Sequence, residues 1–234
     1  SIMVPEFILP WLLNLSMWIP FVGSVLLFLC GSPKRGRVMA IVFSTFSLIL
    51  SIILALQFMP IYGASVQFAS AGATLSDTVR LGYVVGLDGA SMLLFAMTSF
   101  IGWIAILTAP KVFSGTNNAF YGLLLILLGA SLGVFAAQDL FLFYIFFELA
   151  LIPMAFLIGI WGDDDRTSAT YGFVVYTLVG SLLMLVGVLT VGFTSATLIE
   201  GISFSTHFDD LMAAAPLFQE LPFWVFGSFL FAFA

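Results

Sequence analysis

One glutamate in this sequence stands where a carboxyl can do little except chemistry. Glu148 falls inside an apolar run, 140–161, that holds no other Asp, Glu, Lys, Arg or His. A carboxyl surrounded by hydrocarbon favours its neutral form, and an approaching cation favours the ionised one. Such a group therefore takes and releases a proton as its surroundings change. Tyr144 lies one helical turn earlier on the same face. Pro153, five residues later, removes the amide that would have bonded the carbonyl of Leu149, and a freed carbonyl deep in an apolar environment can hold water. The next apolar run supplies Tyr176, Thr177 and Ser181, the last two being four apart on one helical face. Together these groups make a candidate proton path. The alternative for Glu148 is a structural, protonated carboxyl bonded to a neighbouring helix. Interhelical hydrogen bonding is the alternative for the hydroxyls, and a simple kink for Pro153.

Elements long enough to position such a group are easily found. A helix needs roughly 20 apolar residues to cross about 30 Å of hydrocarbon, and six runs meet that need: 9–30, 38–59, 89–109, 119–137, 140–161 and 169–193. A seventh begins near Pro222 and reaches Ala234 after about 13 residues, or roughly 20 Å of helix, too little to cross. The expected fold is an all-α polytopic transmembrane bundle, a single domain over 1–234 with six complete spans and the start of a seventh. The chain reads as a piece of a longer protein. Glu148 follows Asp139, at the turn before its span, by nine residues, which sets it about 13 Å deep, near the midplane.

Composition agrees with a bilayer and excludes the main alternatives. Of 234 residues, 62% are hydrophobic and only 8% charged, against about a quarter charged in soluble domains. Disorder and nucleic-acid binding are excluded on the same ground. The net charge of −6 comes from acids that sit mostly in short connections. Basic residues decide orientation, because basic loops remain cytoplasmic. Lys34, Arg35, Arg37, Lys111 and Arg166 fall in one set of connections, and only Arg80 falls in the other. The N-terminus is therefore expected outside. Two long outer connections, 60–88 and 194–221, are expected to form lids or short strands, since 65–75 alternates weakly.

Other candidates lead elsewhere. Gly129, Gly133 and Ala137 form a small-residue stripe for close helix packing. Asp163, Asp164 and Asp165 read as a solvated turn capping the next helix, Asp88 as an N-cap, and His207 as a solvated surface residue. Cys30 has no partner for a disulfide. No phosphate-binding loop, dinucleotide motif, cysteine cluster or haem histidine pair occurs, so no cofactor, metal or redox centre is expected within this chain.

The stretch Asp139-Leu140-Phe141-Leu142-Phe143-Tyr144-Ile145-Phe146-Phe147-Glu148, continued by Leu151-Ile152-Pro153-Met154 and Leu157-Ile158-Gly159-Ile160-Trp161-Gly162, resembles the antiporter-like membrane subunits of respiratory NADH:quinone oxidoreductase, of the subunit 4 type. Gly86-Leu87-Asp88-Gly89 with Ser91, and Tyr176-Thr177-Leu178-Val179-Gly180-Ser181, support it. The resemblance covers nearly the whole chain but only about the first half of a fourteen-span family protein. It implies that Glu148 is the acid on the fifth helix that pairs with a lysine on a broken seventh helix, expected within a residue or two of Ala234.

The same resemblance implies a proton-translocating subunit, with NADH and quinone bound by other subunits and other membrane subunits as partners. A bacterial plasma membrane is the expected location, ahead of mitochondrial inner or thylakoid membranes. Cation/proton antiporter subunits and membrane subunits of energy-converting hydrogenases share the helix pattern and remain as alternatives, as does a structural scaffold without a transport path.

Overall fold

In the computed structural model the long apolar runs fold as helices, the one conformation in which a lone segment satisfies its own backbone N–H and C=O groups without water. The structure describes residues 5–29, 33–58, 65–74, 78–112, 115–197, 202–216 and 222–233. Cys30, parts of both long connections, and Ala234 at the end of the seventh run lie outside the described residues. A 3-10 turn over Glu6–Ile8 leads into α1 (Leu9–Leu29), followed by α2 (Pro33–Gln57), β1 (Gln67–Thr74), β2 (Val79–Arg80), β3 (Gly82–Leu87), α3 (Gly89–Val112), α4 (Asn118–Ala136), α5 (Leu140–Trp161), α6 (Arg166–Ala196), β4 (Phe204–Ser205), α7 (Phe208–Ala213) and α8 (Phe223–Phe233).

Helices α1 to α6 are each long and apolar enough to cross a bilayer, whereas α8 is shorter. The chain is an integral membrane protein with an all-α transmembrane bundle. At 31 residues, α6 overruns the expected span at both ends. Within it Thr170, Thr190 and Thr194 each return a hydroxyl to the carbonyl four residues back, which satisfies these polar side chains on their own helix.

The α4 helix is the hub. It packs against α1, α2, α3 and α5, and it can do so because its small residues let neighbours approach closely. A β-carbon on Gly129 would meet the Phe21 ring and the Met17 carbonyl of α1, and one on Gly133 would fall inside the Phe146 ring of α5. The main core follows from this arrangement, joining Leu13, Met17, Leu54, Phe95, Leu128, Leu132 and Phe146 from five helices.

One end of the bundle carries a small β-rich cap. Strand β1 pairs antiparallel with β3, with irregular register beside Gln67 and Thr74. Phe68, at the first irregularity, takes φ 58°, and its ring makes an edge contact with Phe58. Strand β2 pairs in parallel with β4. The turn 137–139 then joins both parts: the Gln138 N–H donates to the Val84 carbonyl at 2.8 Å, the Leu140 N–H to the Thr206 carbonyl at 2.9 Å and the Phe208 N–H to the Gln138 carbonyl at 3.2 Å. All of these segments belong to the set of connections that is poor in basic residues.

Candidate functional site

Asp139 caps the helix that carries the candidate acid. Its carboxylate accepts the N–H groups of Phe141 at 2.9 Å and Leu142 at 3.1 Å, satisfying two of the donors that a helix start leaves free. From that fixed start, α5 presents two faces. Phe146, Leu149 and Leu157 pack toward α4 and the core, while Glu148, Leu151, Ile152 and Ala155 face α6.

On the second face a groove of about 220 Å³ runs between α5 and α6, lined by Glu148, Ile152, Phe156, Phe173, Val174 and Thr177 among others. Glu148 stands at one end of it. The lining then continues along both helices toward the turn that joins them at residues 162–165. The groove is almost entirely apolar, so the Glu148 carboxyl and the Thr177 hydroxyl are the polar groups on its wall. Glu148 Oε1 is buried with no hydrogen-bond partner. A buried carboxyl oxygen without a partner is costly.

Three of the other residues singled out in the sequence gather around this acid. The Tyr144 side chain interacts with both the Glu148 carboxylate and the Ser181 hydroxyl, so it bridges α5 to α6. Ser181 is buried and donates to the Leu178 carbonyl at 3.1 Å. Thr177 donates to the Phe173 carbonyl at 2.7 Å. Both hydroxyls have their protons turned onto their own helix, which leaves oxygen lone pairs free to accept.

The remaining two lie elsewhere. Tyr176 is more than half exposed on another face of α6, where its ring lies 6.3 Å from that of Phe231 of α8. Pro153 is buried, about 140° around α5 from Glu148 at 100° per residue, on the side that packs against α4. The spacing of five residues that put Pro153 near Glu148 in sequence carries it off the groove.

His207 differs from its sequence reading as a solvated surface residue. Its side chain is only 22% exposed, and its Nε2 lies 3.5 Å from Oδ2 of a fully buried Asp139. No local pattern marks this contact, because it joins the turn 137–139 to a connection some seventy residues later. Asp88 does accept the Ser91 N–H at 2.7 Å at the start of α3. Asp165 sits at the α6 N-cap position without a side-chain bond to it. Among the described residues, no three His, Cys, Asp or Glu side chains converge as metal ligands would.

The chain is similar to several known proteins. Residues 137–234 match the family described as NADH:quinone oxidoreductase/Mrp antiporter, transmembrane. NADH-quinone oxidoreductase subunit 13 of Thermus thermophilus is 43% identical over 155 residues, which are 65% of this chain and 30% of that protein. The F(420)H(2) dehydrogenase subunit M of Methanosarcina mazei is 42% identical over 113 residues, 48% of this chain and 23% of that one. A chain of respiratory complex I from Thermus thermophilus with bound NADH superimposes on 95% of this chain, and on 43% of its own length, with a TM-score of 0.74 and 34% identity. A chain of the membrane-bound sulfane sulfur reductase, an archaeal respiratory membrane complex, shares the fold, with a TM-score of 0.72 at 20% identity over 95% of this chain and 33% of that one. This chain thus spans a third or less of the curated relatives it matches and under half of the matching complex I chain. Residues 137–234 thus carry the sequence pattern of the NADH:quinone oxidoreductase/Mrp antiporter transmembrane family, and nearly the whole chain is similar in fold to a membrane chain of respiratory complex I.

Proposed function

We propose that this chain is part of a proton-translocating membrane subunit of an NADH:quinone oxidoreductase-type complex, with Glu148 as the group that binds and releases the proton. The observation that carries the reading is the unpartnered Glu148 Oε1, buried at one end of a groove between α5 and α6 and flanked by Tyr144, Thr177 and Ser181. A proton or a water can reach the acid along the groove. Tyr144 then offers a hydroxyl that passes a hydrogen bond onward to Ser181. The chemistry needed is proton transfer alone. Electron donor and quinone are bound by other subunits, which, with further membrane subunits, are the partners. The domain is a single transmembrane unit. Its N-terminus lies outside, Asp139 toward that same side, and the groove opens toward the inside of a bacterial plasma membrane.

Charge movement couples the acid to the rest of the machine. A cation that approaches Glu148 stabilises its ionised form and expels the proton, and withdrawal of the cation reverses this. In the full-length protein that cation is a buried lysine beyond the groove. A subunit exchanging Na⁺ or K⁺ for H⁺ would use the same acid. The apolar lining favours the proton, since a metal cation needs several oxygen ligands and the groove wall supplies one carboxyl and one hydroxyl.

The test is Glu148→Gln in the full-length protein within its complex, reconstituted in liposomes. Glutamine keeps the shape and removes the titration. Proton pumping is expected to fall by roughly 100-fold or more while assembly and insertion persist. Pumping at the normal rate in this variant refutes the role.

A further inference from the structure

We propose that Asp139 and His207 form a second proton-binding site, at the opposite mouth of the bundle from the open end of the Glu148 groove, which exchanges its proton with the aqueous phase on that side. The carboxylate is the fixed half. Asp139 is fully buried, accepts the Phe141 and Leu142 N–H groups, and receives the Thr206 hydroxyl on both oxygens at 2.9 Å. These donors and the positive end of α5 all complement negative charge on the carboxylate.

His207 is the half that changes. Its Nε2 is buried 3.5 Å from Asp139 Oδ2 with no hydrogen-bond partner, while the rest of the side chain keeps a 22% exposure to solvent. A proton on Nε2 turns this contact into a charge-assisted hydrogen bond. When the imidazolium gives up its other ring proton, from Nδ1, to water on the same side, the Nε2–H stays on the Asp139 carboxylate, a neutral imidazole is left, and no bond other than N–H is broken. Neighbouring charges leave the pair to itself: the Arg80 guanidinium is held by Asp210 at 3.2 Å, Asp210 also accepts the Ser205 hydroxyl, and Asp209 faces outward on α7.

The position fits a terminus rather than a strut. Asp139 begins the helix that carries Glu148, about 13 Å away along its axis. Just beneath the pair, Val191, Leu211 and Val225 form a buried apolar cluster, joined by Leu140, Phe208 and Phe229. No member of this plug carries a polar side chain, so it offers no hydrogen-bonded path inward from the pair. A proton released by Glu148 toward that mouth meets the pair once the plug is wetted. This transport role rests on the reading of Glu148 given above; the existence of the paired proton does not.

The experiment uses the full-length protein in its complex, reconstituted in liposomes with ¹⁵N-labelled histidine. The His207 resonance is identified by its loss in His207→Gln. An Nε2–H proton shifted downfield by a carboxylate hydrogen bond is expected, lost in Asp139→Asn and retained in Thr206→Val. Proton translocation is expected to fall roughly 10-fold or more in His207→Gln. An Nε2 without a proton, or a signal unmoved by Asp139→Asn, overturns the site. A bonded Nε2–H together with normal translocation in His207→Gln overturns its transport role. Normal pumping in Glu148→Gln with the His207 signal intact removes the reading of Glu148 and leaves the site standing.

Discussion

The ring of Phe146 on α5 occupies the space where a β-carbon on Gly133 of α4 would stand. Both residues are buried in the main core, and this contact sets how closely the helix bearing Glu148 approaches the hub of the bundle. Gly133→Ala has to push the ring off its site, and overpacking of this kind costs about 1–3 kcal/mol. The expected outcome is a lowered melting temperature in detergent. Glycine at this position is therefore required by packing, and Phe146→Leu in the same chain is expected to recover part of the loss.

Asp139 holds the start of α5 through two N–H bonds and the Thr206 hydroxyl. Replacing it with alanine removes the cap and is expected to destabilise the fold by about 2 kcal/mol, whereas asparagine, which caps as well, costs a few tenths. Thermal unfolding of the two variants in one detergent checks the ordering. Equal losses in both would mean that charge rather than capping holds the turn.

Glu148→Leu separates stability from function. The substitution removes a buried oxygen that lacks a partner and places a side chain of suitable polarity in an apolar groove. It is expected to stabilise the isolated chain by about 1 kcal/mol while abolishing proton transfer. Unfolding in detergent and pumping in liposomes supply the two readings. A destabilised leucine variant would show that the carboxyl is a structural ligand of the bundle.

Tyr83 of β3 ties the cap to α1: its hydroxyl donates to Asn14 Oδ1 at 2.5 Å and accepts the Trp18 indole N–H at 3.0 Å. Burial pushes the Tyr83 pKa above its ordinary 10.0, and the Trp18 hydrogen bond offsets part of that rise. The folded state thus holds this proton more tightly than the unfolded chain. The contribution is complete below the ordinary value and is lost as pH climbs through the raised one. Alkaline unfolding is expected to steepen above pH 10.0 in the wild type and to do so less in Tyr83→Phe.

Arg80 and Asp210 join the two long connections across a 3.2 Å contact, with the arginine nearly half exposed. An ion pair so open to solvent is worth about 0–1 kcal/mol, and salt weakens it further. Arg80→Gln is expected to lower the melting temperature by a small amount at low salt and by almost nothing at high salt. A loss independent of salt would assign the stabilisation to the parallel pairing of β2 with β4 instead.

The sequence alone determined the six membrane helices, because apolar length against the thickness of hydrocarbon is a property of single segments. Glu148 was legible for the same reason: a lone acid in a run without other charges needs no neighbour to be conspicuous. Tyr144, Thr177 and Ser181 followed from helical periodicity, which fixes which residues of one helix share a face. What periodicity leaves open is the rotation of one helix against another. Pro153 and Tyr176 show this, since both lie near Glu148 in number or on the adjacent helix, yet packing on α4 and α8 turns them away from the groove. Only the tertiary structure brought His207 to Asp139 and wove the two outer connections into one cap, because those contacts join segments far apart in the chain, and no local pattern of polarity records which distant backbone will complete a hydrogen bond.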